Sequence, residues 1–228
     1  MGVLVPSGNT TMEPELYRIA PRGVSLHFAR LKLAADTREE IERMSDDLEE
    51  QAKRLADGNV NVICFGCTGG SLFGGVGYDK KIIKRIEDVT GRTATTTSTA
   101  VIEALKRLNA KNLAVASPYP EWLNRRLRDF LEGQDFHVVT LKGLGLETGM
   151  EDVSPEEILR LAKEVAIHEA DAVFISCTDF RALEIVDRLE QDLGKPVVSS
   201  NQATLWMLLR LAHLPDTLHG YGELLRIK

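Results

Sequence analysis

Short aliphatic and β-branched runs alternate with longer stretches of helical spacing along the whole chain. The runs that read as strands are Gly2–Val5, Val60–Phe65, Thr93–Thr96, Asn112–Ala116, Phe136–Leu141, Ala172–Ile175 and Pro196–Ser199. They are apolar at successive positions, which buries both faces and marks parallel strands covered by helices. Two helix starts are explicit. Thr37 and Glu40 have the spacing of a capping box and open a helix predicted to run to about Ala56, with Gly58 as its stop. Ser154 and Glu157 repeat the pattern, and Pro155 suits the first helical position. Such alternation predicts an α/β fold on mostly parallel sheet.

An internal repeat refines that picture. Gly91–Ala100 aligns without gaps on Gly194–Ala203, and both segments run on into helices with leucines at matching positions, Leu105 with Leu208 and Leu108 with Leu211. Asn61–Thr68 aligns on Asp171–Thr178, and Val3–Ser7 on Ala114–Pro118. The offsets are 103 (91 to 194), 110 (67 to 177) and 111 (3 to 114), too long for a solenoid period. A duplicated α/β half explains them. The expected architecture is two pseudo-symmetric lobes, each a mostly parallel sheet flanked by helices, with the active site in the cleft between them. Residues 1–97 plus 200–228 form the first lobe and residues 98–199 the second.

In open parallel sheets ligands bind beyond the carboxyl ends of the strands. Pro6–Thr10, Cys67–Gly70, Thr96–Thr99, Ser117–Tyr119, Cys177–Asp179 and Ser199–Gln202 occupy such ends, and facing lobes would turn them onto one cleft. Two of the six carry Cys followed by Thr, one from each half.

Composition narrows the classes. The 228 residues carry a net charge of −6, with no basic cluster of the kind nucleic acid calls for. No apolar run approaches the ~18 residues of a membrane span, and Met1–Val5 leads directly into Pro6-Ser7-Gly8 without a charged-then-apolar leader. The expected compartment is the cytoplasm. Three cysteines are too few and odd in number for a disulfide framework, so they are expected as reduced thiols.

Cys64 lies inside the apolar run Val62–Phe65 and reads as core. It also forms CxxC with Cys67, but a redox pair starts a helix, and no second CxxC or paired histidine supplies further metal ligands. Cys67 ends its strand just before Thr68-Gly69-Gly70, where a helix start would offer free N–H groups and favour a thiolate. Cys177 holds the equivalent place in its half, ahead of a helix from about Arg181. The histidines at 27, 137, 168, 213 and 219 all lie outside the strand-end segments, which leaves a Cys–His nucleophile without support. The glycines of Gly66–Gly77 lack the Lys-Ser/Thr of a phosphate loop and read as room for backbone to approach a small anion.

Several blocks together resemble the maleate cis–trans isomerases and the related arylmalonate decarboxylases of the aspartate/glutamate racemase superfamily. They are Pro6–Glu15, Phe65–Ser71, Thr93–Ala100, Ser117–Tyr119, Ser176–Thr178 and Pro196–Ser200. The resemblance spans essentially the whole chain and implies two α/β lobes around a central site. It implies Cys67 as nucleophile, Cys177 as second catalytic cysteine, Asn9 as a ligand of the substrate carboxylate and Tyr119 in the pocket wall. Ser7, Thr68, Gly69 and Thr178 join them as candidate substrate-binding residues. In the decarboxylases the first cysteine position is glycine, so Cys67 favours isomerisation. One departure stands out: Gly143–Gly149 lacks the asparagine that binds the second carboxylate in the isomerases, leaving Thr148 and local backbone in its place.

The resemblance thus implies a cofactor-independent, two-cysteine isomerase of a small carboxylate, with cis–trans isomerisation of a dicarboxylate as the leading reaction. An aspartate-, glutamate- or hydantoin-type racemase is the first alternative. An arylmalonate-type decarboxylase or a non-catalytic carboxylate-binding protein is the second. No metal, nucleic acid or membrane is implied, and a homo-oligomer, such as a homodimer, is.

Overall fold

The computed structural model describes residues 1–227. Among them the chain forms two four-stranded parallel sheets of the same connectivity. In the first, β1 (Gly2–Pro6) lies between β2 (His27–Leu31) and β3 (Val62–Phe65), and β3 pairs with β4 (Thr93–Thr96). In the second, β5 (Asn112–Ser117) lies between β6 (His137–Gly143) and β7 (Ala172–Ile175), and β7 pairs with β8 (Val197–Ser199). The orders β2-β1-β3-β4 and β6-β5-β7-β8 are the duplication made visible. Gly91 and Gly194, aligned by the repeat, both end helices in the left-handed conformation, at φ 62° and 64°.

The inner strands β1, β3 and β7 are wholly buried, as their unbroken apolar runs require. Strand β2 has no counterpart among the expected strands. It is an edge strand, exposed or half-exposed at every position but Leu31, and its mixed sequence His27-Phe-Ala-Arg-Leu gives no buried-strand signal. The helix expected from Thr37 to Ala56 is two: α2 (Arg38–Arg43), in the loop-rich cover of the first sheet, and α3 (Leu48–Asp57). Between them the Ser45 carbonyl accepts a hydrogen bond from Arg85 Nη2 at 2.7 Å, on α5 (Tyr78–Thr90), a tertiary contact that periodicity does not reveal. The Ser154–Glu157 capping box is present.

At the ends of β4 and β8 the chain turns directly into α6 (Thr97–Arg107) and α10 (Ser200–Leu211). Thr96 and Ser199 cap them in equivalent fashion, each accepting from the N–H three residues on. These helices pack against each other, and Thr97 Oγ1 meets Thr204 Oγ1 at 3.0 Å between them. Helix α10 is buried nearly all round and carries its polar residues into that contact and toward the strand ends. Among the described residues no helix is long and apolar enough to cross a membrane.

Candidate active site

A cavity of about 90 Å³ lies where the carboxyl ends of the two sheets meet. Segments after β1, β3, β5 and β7 line it, bringing together Asn9, Cys67, Thr68, Gly69, Tyr119, Cys177 and Thr178 from the sequence-predicted set. Ser7 is a correction. It is absent from the lining, because its hydroxyl is spent on the Leu33 carbonyl (3.2 Å) and the Leu33 N–H (3.1 Å). The segments Thr96–Thr99 and Ser199–Gln202 also stay off the lining, where they cap α6 and α10. In their place two loops cover the cavity, Leu33–Asp36 after β2 and Glu147–Glu151 after β6. They are tied across the lobes by the Asp36 N–H donating to the Glu147 carbonyl at 2.7 Å.

Cys67 caps the short helix α4 (Thr68–Leu72), its Sγ accepting from the Gly70 N–H at 3.2 Å. Gly70 leaves room beside the thiol: a Cβ there would stand 2.7 Å from Met44 Sδ and 3.2 Å from Cys67 Sγ, so both would have to shift. Cys177 is held differently. No helix follows it directly, since the chain passes through Thr178–Ala182 and a short 3₁₀ turn before α9 (Val186–Leu193). The helix expected from Arg181 is therefore displaced. Asp179 is recruited elsewhere, its carboxylate accepting from the N–H groups of Thr10 and Thr11 at the start of α1 (Met12–Ile19). Cys177 adopts φ +105°, a conformation that costs a non-glycine residue about 1–3 kcal/mol and persists where surroundings enforce it. Ser200 Oγ accepts its N–H at 3.1 Å, and its Sγ accepts from the Asp179 N–H at 3.3 Å. Thr68 Oγ1 donates to the same Ser200 Oγ at 2.9 Å, so one hydroxyl links the two cysteine segments.

Asn9 is fixed by its Oδ1, which accepts from the N–H groups of Thr11 and Met12, while Nδ2 donates to Thr178 Oγ1 at 3.0 Å. An amide has two N–H bonds, so Asn9 keeps one for a ligand, as Thr178 keeps its hydroxyl proton. The Tyr119 hydroxyl is buried and receives only a long contact from Ser176 Oγ at 3.5 Å. These donors gather around the cavity.

The expectation of a lowered thiol pKa is not met. Burial pushes Cys67 well up, Asp36 and Asp179 add to the shift, and the N–H groups of Gly70 and Gly69 oppose it without winning. A five-residue helix has too small a dipole to offset burial. Cys177 is raised by burial, then by Asp36 and Asp179, and in part by Cys67 itself. Tyr119 is likewise held protonated by burial. Cys64, pushed up to about 12 by burial, sits in the core and off the cavity. Asp36 is raised to about 7, by burial first and then by Asp179, Glu147 and Glu40.

Asp36, Glu147 and Met150 are cavity residues that sequence reasoning missed, since they lie in loops with no pattern of their own. Asp179 and Ser200 fall in strand-end segments expected at the cleft but were given no role; Asp179 lines the cavity, and Ser200 stays off it while binding the Cys177 N–H. Among the described residues no group of His, Cys, Asp and Glu is arranged to hold a metal ion.

The profile of the arylmalonate decarboxylase family matches residues 1–225. A maleate isomerase of Geobacillus stearothermophilus is 26% identical, over 99% of this chain and 96% of its own. The arylmalonate decarboxylase of Bordetella bronchiseptica is 28% identical, over 97% of this chain and 91% of its own. A solved maleate cis–trans isomerase of Nocardia farcinica, a cysteine-to-serine variant with a covalently bound succinylcysteine intermediate, matches at a TM-score of 0.95. It is 25% identical, covering 99% of this chain and 97% of that one. With a profile match over nearly its whole length, the chain belongs to the arylmalonate decarboxylase family.

Proposed function

We propose that this protein is a cofactor-independent cis–trans isomerase of a small unsaturated carboxylate, working through Cys67 and Cys177. The observation that carries the reading is a single cavity holding both thiols, one from each half of a duplicated fold. The relatives support the reaction, since maleate isomerases resemble the chain throughout and one holds a succinyl group on a cysteine.

Cys67 Sγ, as thiolate, bonds to one alkene carbon; the π pair moves to its neighbour, where the Cys177 thiol delivers a proton. The former double bond is now single and rotates. Cys177 then takes the proton back, the pair re-forms the double bond, and the C–S bond breaks to release Cys67. Every bond made is later broken, so the cycle balances without oxidant or reductant. Asn9, Thr178, Tyr119 and the backbone N–H of Thr68 hold the carboxylate and stabilise the charge that develops on it, while the Gly69 N–H serves Cys67. The Thr68 hydroxyl serves Ser200 instead.

Proton NMR in heavy water, with maleate and related cis acids, tests the reading. The trans alkene should appear with wild type, vanish with Cys67→Ala, and give way to a covalent adduct on Cys67 in Cys177→Ser, detected by intact mass. Exchange of an α-proton, or loss of carbon dioxide, without alkene isomerisation would replace it with racemase or decarboxylase chemistry. We also propose a cytoplasmic homo-oligomer, supported by the reduced cysteines and the family resemblance; a monomeric mass in light scattering would sink the oligomer.

A further inference from the structure

Four acidic residues line the cavity, Asp36, Glu147, Glu151 and Asp179, and among the described residues no lysine, arginine or histidine does. The cation behind the first loop is already committed: Arg30 binds the carbonyls of Pro6, Ser7 and Asn9 and the carboxylate of Glu13. Asp179 is engaged by two N–H groups. Asp36 is different. No protein donor reaches its carboxyl among the described residues, and it lies half-buried in the lining it shares with both thiols.

The donor wall of Asn9, Tyr119, Thr178 and the Thr68 N–H serves one carboxylate. On a short cis-alkene the second substituent stays close to the first, so it too falls inside this cavity, in the company of Asp36. A carboxylate there meets like charge. A nitrogen carrying hydrogens meets an acceptor with no competing donor.

We infer that Asp36 selects a substrate whose second end is a nitrogen hydrogen-bond donor without negative charge: a cis-unsaturated monocarboxylate bearing a carboxamide or amine, in preference to a dicarboxylate. The inference rests on the isomerase reading above and narrows its substrate class.

The test compares maleate with its monoamide at pH 8, where Asp36 is ionised, on wild type and Asp36→Asn, by NMR of the alkene protons. Wild type is expected to favour the monoamide in kcat/KM by at least about tenfold, chiefly through KM. Asp36→Asn is expected to move that ratio toward maleate by about tenfold. Dissociation constants on Cys67→Ala should follow the same order. A wild-type preference for maleate, or a ratio unchanged in Asp36→Asn, overturns the inference and leaves the isomerase reading standing. Turnover of neither compound, with no adduct on Cys67, overturns the isomerase reading and this inference with it.

Discussion

Glu15 offers a measurement of what joins the two halves. Its carboxylate is buried on α1 and binds groups far along the chain: the Leu183 N–H of the second lobe at 3.2 Å and Asn201 Nδ2, on α10, at 2.7 Å. Asn201 also holds the Thr178 carbonyl, one residue beyond Cys177. Burial outweighs both hydrogen bonds and raises Glu15 from 4.5 to about 7. A carboxyl whose folded pKa lies above its unfolded value binds its proton more tightly in the native state. Its effect on stability is therefore nil below 4.5, and stability is lost as pH rises from 4.5 to about 7. At about 1.36 kcal/mol per pKa unit, the loss is about 3 kcal/mol. Glu15→Gln keeps an acceptor for Leu183 and removes the titration, at a cost that does not vary with pH. Urea unfolding of both proteins at pH 5 and pH 8 isolates the effect, because Asp36, Asp179 and Glu190 titrate identically in each. Wild type should lose about 2.5 kcal/mol more than the variant between the two pH values, since part of the loss has already occurred at pH 5. A difference below about 1 kcal/mol would refute the argument that burial dominates at Glu15.

Two further outcomes follow from the thiols. Ser200→Ala orphans the buried Cys177 N–H and should cost about 1–3 kcal/mol in urea unfolding. It should also lower kcat with little change in KM. Ser200→Thr, which installs the residue of the repeat counterpart Thr97, should restore both. Because burial and the neighbouring carboxyls hold Cys67 protonated, kcat/KM should still be climbing between pH 8 and pH 9, and Asp36→Asn should move the profile to lower pH. A plateau below pH 8 in wild type would show that the thiolate is already formed.

Legibility followed the physics of each element. Buried strands announced themselves because apolar burial on both faces leaves an unbroken run, whereas edge strand β2 needed only Leu31 inside and left none. The paired helices after β4 and β8 were visible because the duplication kept their starts in register, but the repeat did not show that Thr96 and Ser199 cap them instead of lining the cleft. The cysteine pair was legible for the same reason. Asp36 was not, since it lies in an irregular loop whose backbone is tied to Glu147 of the other half. The turn after Cys177 misled for a related reason: the helix expected from about Arg181 is displaced, and Asp179 binds the N–H groups at the start of α1 across the lobe boundary. Contacts between halves have no local period.

In the proposed mechanism those departures from symmetry are also what would give two like residues unlike roles. An isomerase of this kind needs one thiolate and one thiol, and a perfectly symmetric pair would not decide which. Cys67 receives N–H groups from both Gly69 and Gly70, while Cys177 receives that of Asp179 alone. The first sulfur is thus better placed to carry negative charge, as a nucleophile must. Charge on Cys67 in turn raises Cys177, and Asp36 and Asp179 raise both. Two thiolates in one cavity of about 90 Å³ beside these carboxyls would repel each other strongly, so ionising the nucleophile keeps its partner protonated. In the proposed cycle the nucleophile and the acid are then set by one event, the loss of a single proton from Cys67, since the neighbouring carboxyls oppose a second ionisation.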